Sequence, residues 1–161
     1  MGLEYDISAD PGTNATGICI WLKGEPVALK TIRPKTTESS DYLSRVLSVT
    51  SQFRQLCIDL VDVENSIRTV AIEEFEWHNS RLEKATSAHT AQVSMSKCNG
   101  VKCALAAVAF DFADEVTEAN KKQIKKSETA LLARCKGLKG SKDALDAYQI
   151  GVCAGLDRRR L

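Results

Sequence analysis

The chain has 161 residues, 43% of them hydrophobic and 27% charged, with a formal net charge of +1. Those values suit one globular domain, residues 1–161, with a real core. No apolar run approaches the ~18 residues of a membrane span. The first residues, Met1-Gly2-Leu3-Glu4-Tyr5-Asp6, lack the basic and apolar regions of a signal peptide. A cytoplasmic location and no membrane partner are therefore expected.

Six cysteines (Cys19, Cys57, Cys98, Cys103, Cys135 and Cys153) form no C-x-x-C pair, and the only histidines are His78 and His89. This excludes a zinc site, which needs closely paired ligands; reduced thiols at core positions are expected instead. The small net charge hides an asymmetry: residues 1–76 carry 7 Lys/Arg against 12 Asp/Glu, and residues 77–161 carry 15 against 9. Within 119–142 stand 8 basic residues and one acidic, Glu128. Such a block suits a polyanion, although a solvated helix face would look the same.

In chain order, residues 3–9 alternate and read as a strand. Asp10-Pro11-Gly12-Thr13-Asn14 has the chemistry of a turn. Residues 16–22 and 27–33 read as two more strands, joined by Lys23-Gly24-Glu25-Pro26, so the chain opens with an antiparallel meander. Asp41 is an N-cap for a helix over about 42–63, where Leu43, Val46, Leu47, Phe53, Leu56, Cys57, Leu60 and Val61 recur at helical spacing. Residues 68–73 form a short apolar run, read as a buried parallel strand. A helix rich in small residues follows over about 85–108, a weakly marked strand surrounds Val116, and a basic helix spans 121–136. Gly137 and Gly140 break it, and Ser141 caps a last helix over 142–155. Residues 157–161 read as a flexible tail, whose Arg158, Arg159 and Arg160 either extend the basic surface or are disordered. Three antiparallel strands followed by βα units make a mixed five-stranded sheet flanked by helices, an α/β fold.

The acids fall at telling places. Asp10 ends the first strand and Glu73 the fourth, and ligands in open α/β sheets sit beyond the carboxyl ends of strands. If those strands are parallel neighbours, the two carboxylates face each other. Asp143 and Asp146, three apart on a helix, share one face. Taken singly, Asp10 before Pro-Gly also suits a plain turn, and Asp143 complements a helix dipole. Glu73 is harder to dismiss, because Glu is a poor strand residue. Four converging carboxylates would repel: one like-charged pair ~4 Å apart costs about 4 kcal/mol at an effective dielectric of 20. Hard divalent cations with oxygen ligands relieve this, and two such ions suit phosphodiester hydrolysis without a His or Lys base.

With these residues in view, Asp10-Pro11-Gly12-Thr13-Asn14-Ala15-Thr16-Gly17 resembles the first-strand motif of the RuvC family of Holliday junction resolvases (D-P-G-x-x-x-T-G). Ala71-Ile72-Glu73-Glu74 resembles that family's fourth-strand A-I-E motif, and Asp143-Ala144-Leu145-Asp146-Ala147 its final-helix D-A-A-D-A motif. Each motif is weak alone, but the three follow in order on the expected elements, and the resemblance spans roughly residues 3–155. It implies an RNase H-like fold, a homodimer, and nicking of two opposed strands of a four-way DNA junction with Mg²⁺, or Mn²⁺ in its place. It implies that Asp10, Glu73, Asp143 and Asp146 hold two ions and the attacking water, leaving 5′-phosphate and 3′-hydroxyl ends. The family's junction-probing aromatic would correspond to Phe75 or Trp77, which flank its register without matching it; Glu74 stands where the family often has Gln. Lys121, Lys122, Lys125 and Lys126 are the candidate phosphate contacts. Small residues at Ala88, Ala91, Ser94, Gly100 and Ala104 would permit close approach of a second copy or of the chain's own sheet. The rival readings are an RNase H-like nuclease acting on RNA, hybrids or flaps, and a module that binds branched DNA without cutting it.

Overall fold

The computed structural model describes residues 2–35, 41–74, 88–120, 135 and 137–159, with 88–91 described by backbone alone. Three strands open the chain: β1 (Glu4–Asp10), β2 (Thr16–Leu22) and β3 (Glu25–Ile32). They pair antiparallel in succession. The β2–β3 connection is a two-residue turn with positive φ at both Lys23 (52°) and Gly24 (81°), the geometry that matches strand twist.

Helix α1 (Tyr42–Leu60) starts where Asp41 Oδ1 accepts the Ser44 N–H at 2.7 Å. It stops three residues short of the expected end. Asp62 Oδ1 accepts the N–H groups of Glu64 and Asn65, each at 2.8 Å, and this local turn competes with further helix. Strand β4 (Ser66–Glu73) is followed by helix α2 (Ala88–Phe110), strand β5 (Ala113–Ala119) and helix α3 (Lys142–Cys153). The sheet order is β3-β2-β1-β4-β5, with β4 parallel to both β1 and β5. β5 is an edge strand, and its Asp114, Glu115 and Glu118 are exposed, which explains its faint apolar signature. Helix α3 ends at Cys153 rather than 155, because Gly155 turns left-handed (φ 75°) and Leu156 N–H returns to the Gly151 carbonyl at 2.9 Å. The expected basic helix over 121–136 lies outside the described residues, apart from Cys135.

Each face of the sheet has its own core. On one, Ile7, Ala9, Ile18, Val70 and Ile72 pack with Phe53 of α1 and Leu105 of α2. On the other, Cys19, Trp21 and Ala71 pack with Ala147, Tyr148 and Ile150 of α3. Of the six cysteines, Cys19, Cys57 and Cys135 are buried, Cys98 and Cys153 half-buried and Cys103 exposed, and none is in a disulfide. Burial pushes the Cys57 thiol up to about 12, so it behaves as a small apolar side chain.

Two expectations need correction. Residues 157–159 are not a loose tail. Arg158 N–H bonds the Gly24 carbonyl at 3.0 Å, and Arg159 forks onto the buried Asp157 carboxylate (Nη2 to Oδ2, 2.8 Å; Nε to Oδ1, 3.0 Å). Nor do Leu43 and Leu47 join the core: they remain 63% and 61% exposed, and α1 buries Val49, Phe53, Leu56 and Cys57 instead.

Candidate active site

The site is built from β1 outward. Alternation along a strand sends successive side chains to opposite faces. Ile7 and Ala9 lie in the α1/α2 core, whereas Ser8 Oγ donates to the Ala147 carbonyl of α3 at 2.6 Å. Asp6, Ser8 and Asp10 therefore face α3. Asp6 is held at the far end by the Arg68 guanidinium (Nε to Oδ1, 2.9 Å; Nη2 to Oδ2, 2.5 Å), which satisfies a buried charge. Asp10, half-buried, ends the strand at the other end.

β4 runs beside β1 in parallel, and the last matched pair, Ala9 with Ile72, comes just before Asp10 and Glu73. Ala71 belongs to the α3-side core, so Glu73, two residues on, points to the same face. It is 7% exposed and sits opposite Ala119 of β5. The next residue, Glu74, is exposed, and its N–H continues the ladder to the Ala119 carbonyl at 2.9 Å.

The loop between β1 and β2 explains its own sequence. Thr16 is fully buried, and its hydroxyl bonds the Gly12 carbonyl at 3.3 Å and accepts the Gly12 N–H at 3.4 Å. A Cβ on Gly12 would stand 2.3 Å from the Ala15 carbonyl oxygen. Asn14 Oδ1 accepts from Arg45 Nη1 at 2.7 Å, tying the loop to α1. Gly17, the cross-strand partner of Asp10, lets α3 approach: a Cβ there would fall 1.8 Å from the Asp143 carbonyl oxygen. The first turn of α3 thus lies against the strand residue paired with Asp10. Its cap, Ser141, accepts the Ala144 N–H at 3.3 Å and shares a 2.5 Å hydrogen bond with Thr31 of β3.

Asp10, Glu73, Asp143 and Asp146 therefore come from three elements to one end of the sheet, on one face. Asp143 and Asp146 are both half-buried. Among the described residues no three His, Cys, Asp or Glu side chains stand in metal-holding geometry. Phe75, Trp77, Lys121, Lys122, Lys125 and Lys126 lie outside the described residues. Gly100 has a use within its own chain, since a Cβ there would meet the Tyr42 hydroxyl at 1.9 Å.

Residues that no sequence motif marks hold α3 in place. Trp21 stacks on Tyr148 (centroids 5.2 Å apart, planes at 17°) and donates its indole N–H to Ser8 Oγ at 2.9 Å. The Tyr148 hydroxyl donates to Asp157 Oδ2 at 3.1 Å and accepts from Arg159 Nη2 at 3.1 Å. Burial opposes ionisation of Asp157. Hydrogen bonds from Arg159 outweigh it, with its charge and Tyr148 adding, and hold the carboxyl below the usual range. Burial, with the Asp157 charge, pushes the Tyr148 phenol up, so it stays a neutral donor.

The sheet order and the helices on its two faces define an RNase H-like α/β domain. Neither a protein-family model nor a curated protein sequence matches the chain. Among solved structures its fold is similar to that of RuvC. The chain is similar to T. thermophilus RuvC in complex with a Holliday junction substrate, with TM-score 0.65 and 15% identity over 97% of this chain and 95% of that one. It is equally similar to a second Thermus thermophilus RuvC structure, with TM-score 0.64 and 14% identity over 96% and 95%. No helix among the described residues is long and apolar enough to cross a membrane.

Proposed function

We propose that this protein is a structure-selective endonuclease that resolves four-way DNA junctions by paired, metal-dependent phosphodiester hydrolysis in recombination and repair. One observation carries the reading: Asp10 and Glu73 end adjacent parallel strands, on the face covered by the helix that starts with Asp143 and Asp146. The donor set fits hard divalent cations, which prefer carboxylate oxygens and water. Asp10, Glu73, Asp143 and Asp146 would hold two Mg²⁺ ions, with Mn²⁺ able to substitute. Bound there, the ions would supply a water of lowered pKa and neutralise charge on the scissile phosphate. The chain's own part is to fix the separation of two acid pairs, one on the sheet and one on α3.

The fold shared with a junction-bound RuvC supports branched DNA as the substrate. Phe75 or Trp77 would stack on an unpaired base, and Lys121, Lys122, Lys125 and Lys126 would meet phosphates. Two nicks related by a two-fold axis call for a homodimer. The exposed Leu43 and Leu47 of α1 offer an apolar surface for the second copy.

A labelled immobile four-way junction tests this, with Mg²⁺ or EDTA, beside linear duplex and RNA–DNA hybrid. Paired symmetric nicks on the junction alone, lost with EDTA and in Asp146→Asn, are expected. Cutting of hybrid or duplex would keep the metal site and replace the substrate; tight junction binding without cleavage would leave a binding module.

A further inference from the structure

We propose that Ser8 is a positioning residue for the carboxylate site, a role that rests on the metal-binding reading above. It is fully buried. Its hydroxyl donates to the Ala147 carbonyl at 2.6 Å and accepts the Trp21 indole N–H at 2.9 Å. The hydroxyl's proton and one of its lone pairs are thus engaged inside the core. Ser8 stands two residues before Asp10 on the same face of β1, and Ala147 directly follows Asp146. One oxygen bridges the strand that carries the first acid and the helix that carries the last two.

Beside Tyr148 and Ile150, the part of the helix that crosses Ser8 is built of small residues and needs such a bridge. Ala144, Ala147 and Gly151 make that part, and a Cβ at Gly151 would lie 2.3 Å from the Trp21 ring and 2.6 Å from Ser8 Oγ. Small side chains offer few ridges to interlock. Apolar burial is non-directional and tolerates a slide or a roll, whereas a hydrogen bond weakens steeply off its geometry. The Ser8–Ala147 bond sets the helix's roll and its register along β1, and so the distance from Asp10 to Asp143 and Asp146. A roll of α3 would leave much of its burial intact while separating the two acid pairs.

Mn²⁺ affinity, measured by titration calorimetry on the full chain without DNA, tests this beside the melting temperature. The variants are Ser8→Ala, Ser8→Cys, Ile150→Val and Asp146→Asn. Wild type is expected to bind in an Asp146-dependent way. Ser8→Ala should bind about tenfold more weakly, the scale seen when support for a metal ligand is removed. Ser8→Cys, which keeps a weak donor, should fall between, and it decides the matter if Ser8→Ala does not fold. Ile150→Val loosens the same helix without touching the bridge and should bind like wild type. Wild-type affinity in the folded Ser8 variants would overturn the proposal, as would an equal loss in Ile150→Val. Absence of Asp146-dependent binding in the wild type is a separate outcome: it removes the metal-site reading, and this role with it.

Discussion

The two faces of the sheet are held by different physics. Under α1 and α2 the contacts are apolar: Ile7, Ile18, Phe53, Val70, Ile72 and Leu105 have no polar atom to place. Under α3 the buried set includes Ser8, Asp6 and Glu73 beside Trp21 and Tyr148, and hydrogen bonds decide how the helix lies. The first face supplies stability and tolerates small shifts. The second supplies geometry, and there a displaced helix means misplaced acids. Variants on the two faces should therefore fail differently.

The largest effect belongs to the polar face. Asp10→Asn should lower junction cleavage by about 10³-fold or more, the scale on which one member of a catalytic unit acts. Its stability in urea should stay within about 1 kcal/mol of the parent's, since the half-buried side chain keeps its shape. A large drop in stability would mean that Asp10 is structural. On the apolar face, Phe53→Ala should cost about 3–5 kcal/mol in urea unfolding while leaving Mn²⁺ affinity unchanged at a temperature where the variant is folded. Loss of affinity there would merge the two faces into one unit.

Asp157→Asn should cost about 2 kcal/mol near neutral pH, because it removes the charge from a half-buried, charge-assisted pair with Arg159. The folded carboxyl lies below its ordinary value of 3.8. The stabilisation is therefore complete above the unfolded-state value and fades as pH falls through the folded one. The stability gap between parent and variant should narrow below about pH 4; a gap constant from pH 7 to pH 2 would refute the ion pair. The smallest effect is Tyr148→Phe, about 1–2 kcal/mol for the two hydrogen bonds of its hydroxyl, with the Trp21 stack retained. Circular dichroism melts would resolve it.

The same contrast explains what could be read in the sequence. β1, β2 and β4 were legible because their apolar residues alternate or run together, and β5 was faint because an edge strand keeps its charges. The four carboxylates stood out by position: Glu73 closes an apolar strand, and Asp143 and Asp146 share a helix face. Ser8 did not stand out. In Asp6-Ile7-Ser8-Ala9-Asp10 the polar residues read as a solvent face, and only α3, 139 residues away from Ser8 at the Ala147 contact, shows that they are covered. Asp157 and Arg159 read as a charged tail for the same reason: their partner, Tyr148, looks like ordinary helix core. The Gly17 contact with Asp143 is equally long-range, and the Thr-Gly of the motif gains its physical meaning only there.

The Ser8–Ala147 bond also carries a consequence for how this protein is made. A ribosome adds ~5–20 residues per second, so α3 leaves on the order of ten seconds after β1. During that interval Asp10 and Glu73 can already lie side by side on a nascent sheet, without α3. On the proposed function, a nuclease assembled in this order would stay harmless to nucleic acid around the ribosome until α3 has docked.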